Sequence, residues 1–343
     1  MKNRIFAMAA LAAVLFASCN KETEMINPAP EARPDGASVT ITLSSGDDAQ
    51  TRAFFDATAT AEAWEKSLSS LSVFTFNASG DLILRRDFTV SELASKSATF
   101  SLPKSAAGTE CSFYAVANYD ASSAKTKSAL TALVEKSAGD YNGTFADVST
   151  KALRSGGFVM SGSTTKTVGA VNTSTQVGIS LKRTVAKVAL QTTIAPEFSE
   201  KYPGSITINS VKLSRAASQS LVVAGTPSTG AMSYTHTQTP GTASSKYNSL
   251  FYLYETGTLD AGSRVLLEIN ATYDSDGSSS TSDDRSDVTY SVELTGKAAG
   301  QILRNGYYRV AANITGLVGQ DCQVSVTVAD WETPVTQSVD LGA

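Results

Sequence analysis

Residues 38–43, SVTITL, put Val39, Ile41 and Leu43 on one side of an extended chain and Ser38, Thr40 and Thr42 on the other. A period of two is what a strand buried on one face imposes. It recurs so often in this sequence that helices have little room. Residues 71–77 (LSVFTFN) alternate in the same way, and the Ala-Ser-Gly-Asp that follows turns the chain back into a hairpin partner over 82–86. Strand signals continue at 99–102, 111–118, 157–160 and 177–181. The pattern restarts after Leu181-Lys182-Arg183-Thr184 at 185–190, then at 205–213, 220–223, 249–254, 265–273, 288–294, 307–314 and 322–328. Against these stand a helix over 127–137, with Leu130, Leu133 and Val134 on one face, and a weaker one over 61–68 around Trp64 and Leu68. Helices that do not alternate with strands exclude a parallel α/β architecture. Ser and Thr make up 85 of the 343 residues, and 42% hydrophobic against 17% charged side chains suffice for sizeable cores. The expected fold is all-β: two tandem β-sandwich domains, residues 37–180 and 181–343, with one or two short helices.

The same composition removes most chemistry. The 28 Lys and Arg against 32 Asp and Glu leave a net charge of −4, which provides no basic field for a phosphate backbone, so no nucleic-acid partner is expected. His236 is the single histidine and sits in a Thr/Gln-rich stretch, so it reads as a surface residue. With one histidine and three cysteines, neither a His/Cys zinc site nor a Ser-His-Asp triad is in prospect. The run Asp274-Ser275-Asp276-Gly277, followed by Asp283 and Asp284, is spaced like a calcium loop, but Arg285 stands where the closing Glu is needed. A solvated hairpin loop without metal is expected there. No P-loop or G-x-S-x-G pattern is present. The chain is therefore expected to be neither an enzyme nor a cofactor carrier.

At the start of the chain, Lys2 and Arg4 precede an apolar run over residues 5–16 that is too short for a permanent membrane span. Ala17-Ser18 then stand directly before Cys19, a pattern resembling a bacterial lipobox, in which a signal peptide (residues 1–18) is removed and the thiol receives palmitate-type acyl chains. Each buried CH₂ contributes ~0.8 kcal/mol, enough for several chains to hold the precursor firmly to a membrane. Residues 19–36, with Pro28, Pro30 and Pro34, read as a tether. An ordinary signal peptide with an incidental Cys19 is the alternative. Once exported, Cys111 and Cys322 could pair or remain single thiols.

Several blocks in a fixed order carry a resemblance to a known family. They are Cys19 after the signal, Thr51-Arg52-Ala53-Phe54 after the first strand, residues 71–77, and Val116-Ala117-Asn118 with the helix after it. Leu181-Lys182-Arg183, Val185-Ala186-Lys187-Val188, Arg304-Asn305-Gly306-Tyr307-Tyr308 and Val326-Thr327-Val328-Ala329-Asp330-Trp331 continue the series. Over essentially the whole exported chain the sequence resembles the FimA-type fimbrillins, major subunits of the type V pili of Bacteroidales. The resemblance implies two transthyretin-like β-sandwiches and a lipoprotein precursor anchored in the outer membrane. It also implies an N-terminal strand that fills a groove in its own sandwich, an Arg-specific protease that cuts in the following loop, and a neighbour's strand that takes the vacated place. The implied partners are copies of the chain and other fimbrial subunits, joined head to tail in a cell-surface fimbrium.

The residues suit each of these steps. The apolar face of Val39, Ile41 and Leu43 fits a sheet edge, and the polar residues 44–51 after it form a loop open to proteolysis. Cleavage after Arg52 would leave Ala53 as the new N-terminus. Arg33 is the other basic residue in reach, but Pro34 follows it and makes the bond a poor substrate. At the far end, residues 335–341 (VTQSVDL) place Val335, Val339 and Leu341 on one side with Gln337 between them. Seven residues at ~3.3 Å each reach about 23 Å, a strand long enough to be donated. The alternative is an ordinary edge strand of the second domain. Donor and acceptor are different surfaces, so their contact need not close and gives a filament. Two further functions fit the same chain: a fimbrial anchor or tip subunit of the same fold, and a glycan-binding lipoprotein retained on the membrane, suggested by Trp331 and the 12 tyrosines.

Overall fold

A computed structural model of the chain describes residues 36–44, 55, 61–227, 233–278, 280–296, 299–317 and 325–330. The first half contributes β1 (Ala37–Ser44), β2 (Leu71–Phe76), β3 (Leu82–Asp87), β4 (Ser97–Leu102), β5 (Glu110–Ala117), β6 (Val134–Glu135), β7 (Met160–Thr167), β8 (Ser174–Ser180) and β9 (Lys182–Arg183). All but β6 make two facing sheets, in the orders β4-β1-β8 and β3-β2-β5-β7-β9. Val39, Ile41 and Phe100 from one sheet and Val73, Phe113 and Ala115 from the other share a single apolar core. Close approach at one corner needs Gly162 on β7, since a Cβ there would lie 2.1 Å from the Ser180 carbonyl oxygen.

The second half supplies β10 (Val185–Ile194), β11 (Ser205–Ala216), β12 (Ser220–Leu221), β13 (Tyr234–Gln238), β14 (Gly241–Ala243), β15 (Lys246–Tyr254), β16 (Leu266–Asp274), β17 (Arg285–Glu293), β18 (Gly306–Ile314) and β19 (Ser325–Asp330). The orders are β14-β15-β10-β18-β19 and β13-β11-β16-β17. Val188, Phe251 and Val310 from the first sheet pack on Val211, Leu267 and Ile269 from the second. The opposite face of β10, β15 and β18 looks back at the first half: Val185, Tyr252, Tyr254 and Tyr307 join its core. Strand β10 is thus buried on both faces, which is why VAKVAL lacks the alternation of β1.

The helices among the described residues are short. Threonine hydroxyls start three of them: Thr89 caps α1 (Val90–Ser95), Thr126 caps α2 (Lys127–Thr131) and Thr144 caps α3 (Phe145–Val148). The fourth, α4 (Pro196–Lys201), opens on proline. The helix expected over 127–137 stops at Thr131, because Val134 and Glu135 are drawn into β6 to pair with Leu221 and Ser220 of β12. A partner from the other half of the chain overrides the local helical spacing. Around Trp64 the expected helix is a single 3₁₀ turn, Trp64–Lys66.

Candidate assembly site

Strand β1 occupies the middle of its sheet. It pairs antiparallel with β4, from Ala37 opposite Leu102 to Thr42 opposite Ser97, and parallel with β8, from Ser38 opposite Ser174 to Ser44 opposite Ser180. The edge position expected from alternation is therefore corrected. Both rows of backbone groups are used because β8, far away in sequence, supplies a second partner that no local pattern announces. Ala37, Val39 and Ile41 have no exposed surface and Leu43 is 4% exposed, whereas Thr42 and Ser44 face solvent. Full burial of a Val, Ile or Leu side chain is worth about 1.5–3 kcal/mol, so the three larger residues together contribute roughly 5–9 kcal/mol. Side chains add to the ladder: Ser97 Oγ donates to the Ile41 carbonyl (3.0 Å), and the hydroxyls of Thr40 and Thr99 meet at 2.9 Å. Since β4 and β8 run in opposite senses beside β1, any strand in this place is parallel to one and antiparallel to the other. The pockets for alternate apolar side chains, rather than the ladder type, therefore fix the register of β1.

Sequence blocks far apart in the chain meet at the junction between the halves. Asn118 adopts a left-handed backbone (φ 59°), and its amide serves four backbone groups. Its Oδ1 accepts from the N–H of Ser69 (2.8 Å) and Ser70 (3.3 Å), while Nδ2 donates to the carbonyls of Ser67 and Phe158 (both 2.8 Å). Asn305, also left-handed at 58°, accepts from the N–H and the guanidinium of Arg183 at 3.2 and 2.8 Å. Two fully buried carboxylates complete the junction. Glu65 Oε1 pairs with Lys187 Nζ at 2.7 Å and accepts from the Tyr252 hydroxyl at 2.8 Å. Glu135 accepts from the hydroxyls of Tyr141 (2.6 Å) and Thr184 (2.7 Å) and pairs with Arg154 at 3.1 Å. Burial alone would raise the Glu65 carboxyl, but the charges of Lys187 and Arg183 and the hydrogen bonds outweigh it and hold the group below its ordinary value. Burial and the neighbouring carboxylate of Glu65 push the Tyr252 phenol upward. Neither carboxylate had a sequence signal, whereas Asn118 and Arg183 lay within the blocks that carry the family resemblance.

Among the other sequence-derived candidates, Cys19, Arg33, Arg52, Ala53, Cys322, Trp331, Val335, Val339 and Leu341 lie outside the described residues. Cys111 is a free thiol buried in the first core. His236 is not a plain surface residue. It is half-buried on β13, where its ring meets Phe251 edge-on at 6.1 Å and Nε2 lies 3.3 Å from the Gly143 carbonyl, because β13 packs against the first half. The β16–β17 hairpin gathers carboxylate oxygens of Asp274, Asp276 and Asp284 within 4.8 Å of one another, and Asp274 is buried instead of solvated. Arg285 compensates by pairing with Asp274 at 3.0 Å, and Asp284 accepts from Ser275 Oγ and Asp276 N–H at 2.8 Å.

Facing sheets in each half, with the first strand held in the middle of one of them, give the chain an all-β architecture of paired sheets. Its fold is similar to that of a candidate cell adhesion protein of Bacteroides eggerthii, at TM-score 0.59 and 19% identity over 90% of this chain and 100% of that one. The tip fimbrial protein Mfa3 of Porphyromonas gingivalis, with a C-terminal truncation, gives 0.54 and 14% over 86% and 100%. A fimbrial assembly protein of Parabacteroides distasonis gives 0.50 and 15% over 89% and 98%. No curated protein sequence matches the chain. Residues 37–195 match the family model described as major fimbrial subunit protein (FimA).

Proposed function

We propose that the protein is a structural, non-enzymatic pilin of a cell-surface fimbrium. In this reading it is exported as a lipoprotein through Cys19 and anchored in the outer membrane until an Arg-specific protease cuts after Arg52. It then polymerises when residues 335–341 of a neighbouring copy, with Val335, Val339 and Leu341 on one face, take the place of β1. The observation that carries the reading is the position of β1: a single N-terminal strand fills the middle of a sheet and supplies part of the core. Cutting after Arg52 would turn β1 into a separate peptide held only by non-covalent contacts. Its departure would leave facing ladders on β4 and β8 and empty apolar pockets, a site that an alternating strand satisfies. The organisation that goes with this is a signal at 1–18, a tether at 19–36 and sandwich domains at 37–180 and 181–343.

Mass spectrometry of the N-terminus of surface-extracted protein tests the proposal. A stalk subunit begins at Ala53, whereas an anchor or a membrane-retained glycan binder begins at acylated Cys19. Replacing Arg52 by Ala should trap the lipidated monomer, and polymer ladders of normal length from that variant would refute the cleavage assignment.

A further inference from the structure

We propose that Phe55 and the turn Trp64–Lys66, just downstream of Arg52, moor the new N-terminus to the C-terminal five-stranded sheet, so that β1 leaves alone. The inference rests on cleavage after Arg52, and the polar contacts of Glu65 are separate from the ladders that hold β1. Glu65, with no exposed surface, pairs with Lys187 of β10 and accepts from Tyr252 of β15 at 2.7 and 2.8 Å. Its carbonyl accepts from Arg183 Nε at 2.9 Å. Phe55 packs against the first core, and the guanidinium of Arg309 on β18 lies over its ring at 4.9 Å. Trp64 meets Phe158 at 6.0 Å, and Phe158 in turn meets Tyr252 at 4.8 Å. Lys187, Tyr252 and Arg309 occupy neighbouring strands of one sheet. Every ladder partner of β1, by contrast, belongs to β4 or β8.

Loss of β1 therefore removes none of the Glu65 partners. Withdrawing Glu65 would instead separate two desolvated ions, which makes local opening of this turn unfavourable. The mature chain keeps Phe55 and the turn Trp64–Lys66 at the junction, and the two halves stay locked while the groove stands open.

Hydrogen-exchange mass spectrometry on the full precursor, before and after an arginine-specific protease has cut it, tests the mooring. In the unmodified protein, peptides from β4 and β8 should exchange about tenfold faster after the cut, while the peptide over 61–70 stays within about twofold of its precursor rate. Glu65→Gln should speed exchange at 61–70 about tenfold in both forms and leave the β16–β17 hairpin unchanged. Acceleration at 61–70 together with β4 and β8 in the unmodified protein, or an unchanged rate in Glu65→Gln, overturns the mooring. Should Glu65→Gln loosen the hairpin as well, Phe55→Ala decides, since it leaves the ion pair intact: faster exchange at 61–70 upholds the mooring and an unchanged rate overturns it. If β4 and β8 keep their protection after the cut, strand release fails as a reading, and the mooring is judged on the uncut precursor by the same variants.

Discussion

Under the proposed cleavage after Arg52, replacing Ile41 by Ala should separate the precursor from the mature subunit energetically. Ile41 has no exposed surface, stands opposite Ala98 and Val177 in the middle of its sheet, and belongs to the first core. Truncating a buried Ile to Ala costs about 2–5 kcal/mol, and a central position with neighbours on both sides leaves little room to relax, so ~3 kcal/mol is expected. The whole of that cost falls on the precursor, because a chain beginning at Ala53 no longer contains residue 41. Thr42→Ala, one position along and exposed, should change stability by less than about 0.5 kcal/mol. Urea unfolding of the uncut protein reads the difference directly as a lower midpoint for Ile41→Ala. After protease treatment, the substituted strand should dissociate faster, by up to roughly a hundredfold if the full ~3 kcal/mol appears in the release step, since 1.4 kcal/mol is a factor of ten. Equal effects of the two substitutions, or an unfolding change that persists in the cut protein, would refute the placement of β1 as a removable part of the core.

Deleting residues 335–343 should leave a folded, cleavable monomer that forms no filaments; filaments seen by electron microscopy would end the donor assignment. Asn118→Ala forces Ala into a left-handed backbone and strips partners from Ser69, Ser70, Ser67 and Phe158, for a loss of about 3–5 kcal/mol in urea unfolding, whereas a loss under ~1 kcal/mol would show that the amide bridges are dispensable. Alkaline stability follows from buried phenols: burial pushes Tyr308 and Tyr234 up to about 12, and Tyr252 is raised as well. Unfolded phenols ionise near ~10, so this contribution is complete below that pH and is lost as pH rises above it. The urea midpoint should be flat to about pH 9 and then fall, and a midpoint that holds to pH 12 would contradict the burial.

Interactions between near neighbours in the chain were readable from the sequence. The alternation over 38–43 determined which side chains of β1 face inward, because a strand turns its side chains to opposite faces whatever it pairs with. The blocks containing Asn118, Arg183 and Asn305 were visible as parts of a resemblance, though not as hydrogen-bond hubs. The scarcity of His and Cys is the reason no His/Cys zinc site or Ser-His-Asp triad is expected. Tertiary structure alone decided what depends on remote partners. It put β1 in the middle of its sheet, since β8 arrives from the far end of the first half, and it cut the helix at Thr131 because β12 was there to pair with Val134. It also buried Glu65 against Lys187. In the sequence these are two ordinary charged residues 122 positions apart, and only the fold brings them close enough for their attraction to offset the loss of water.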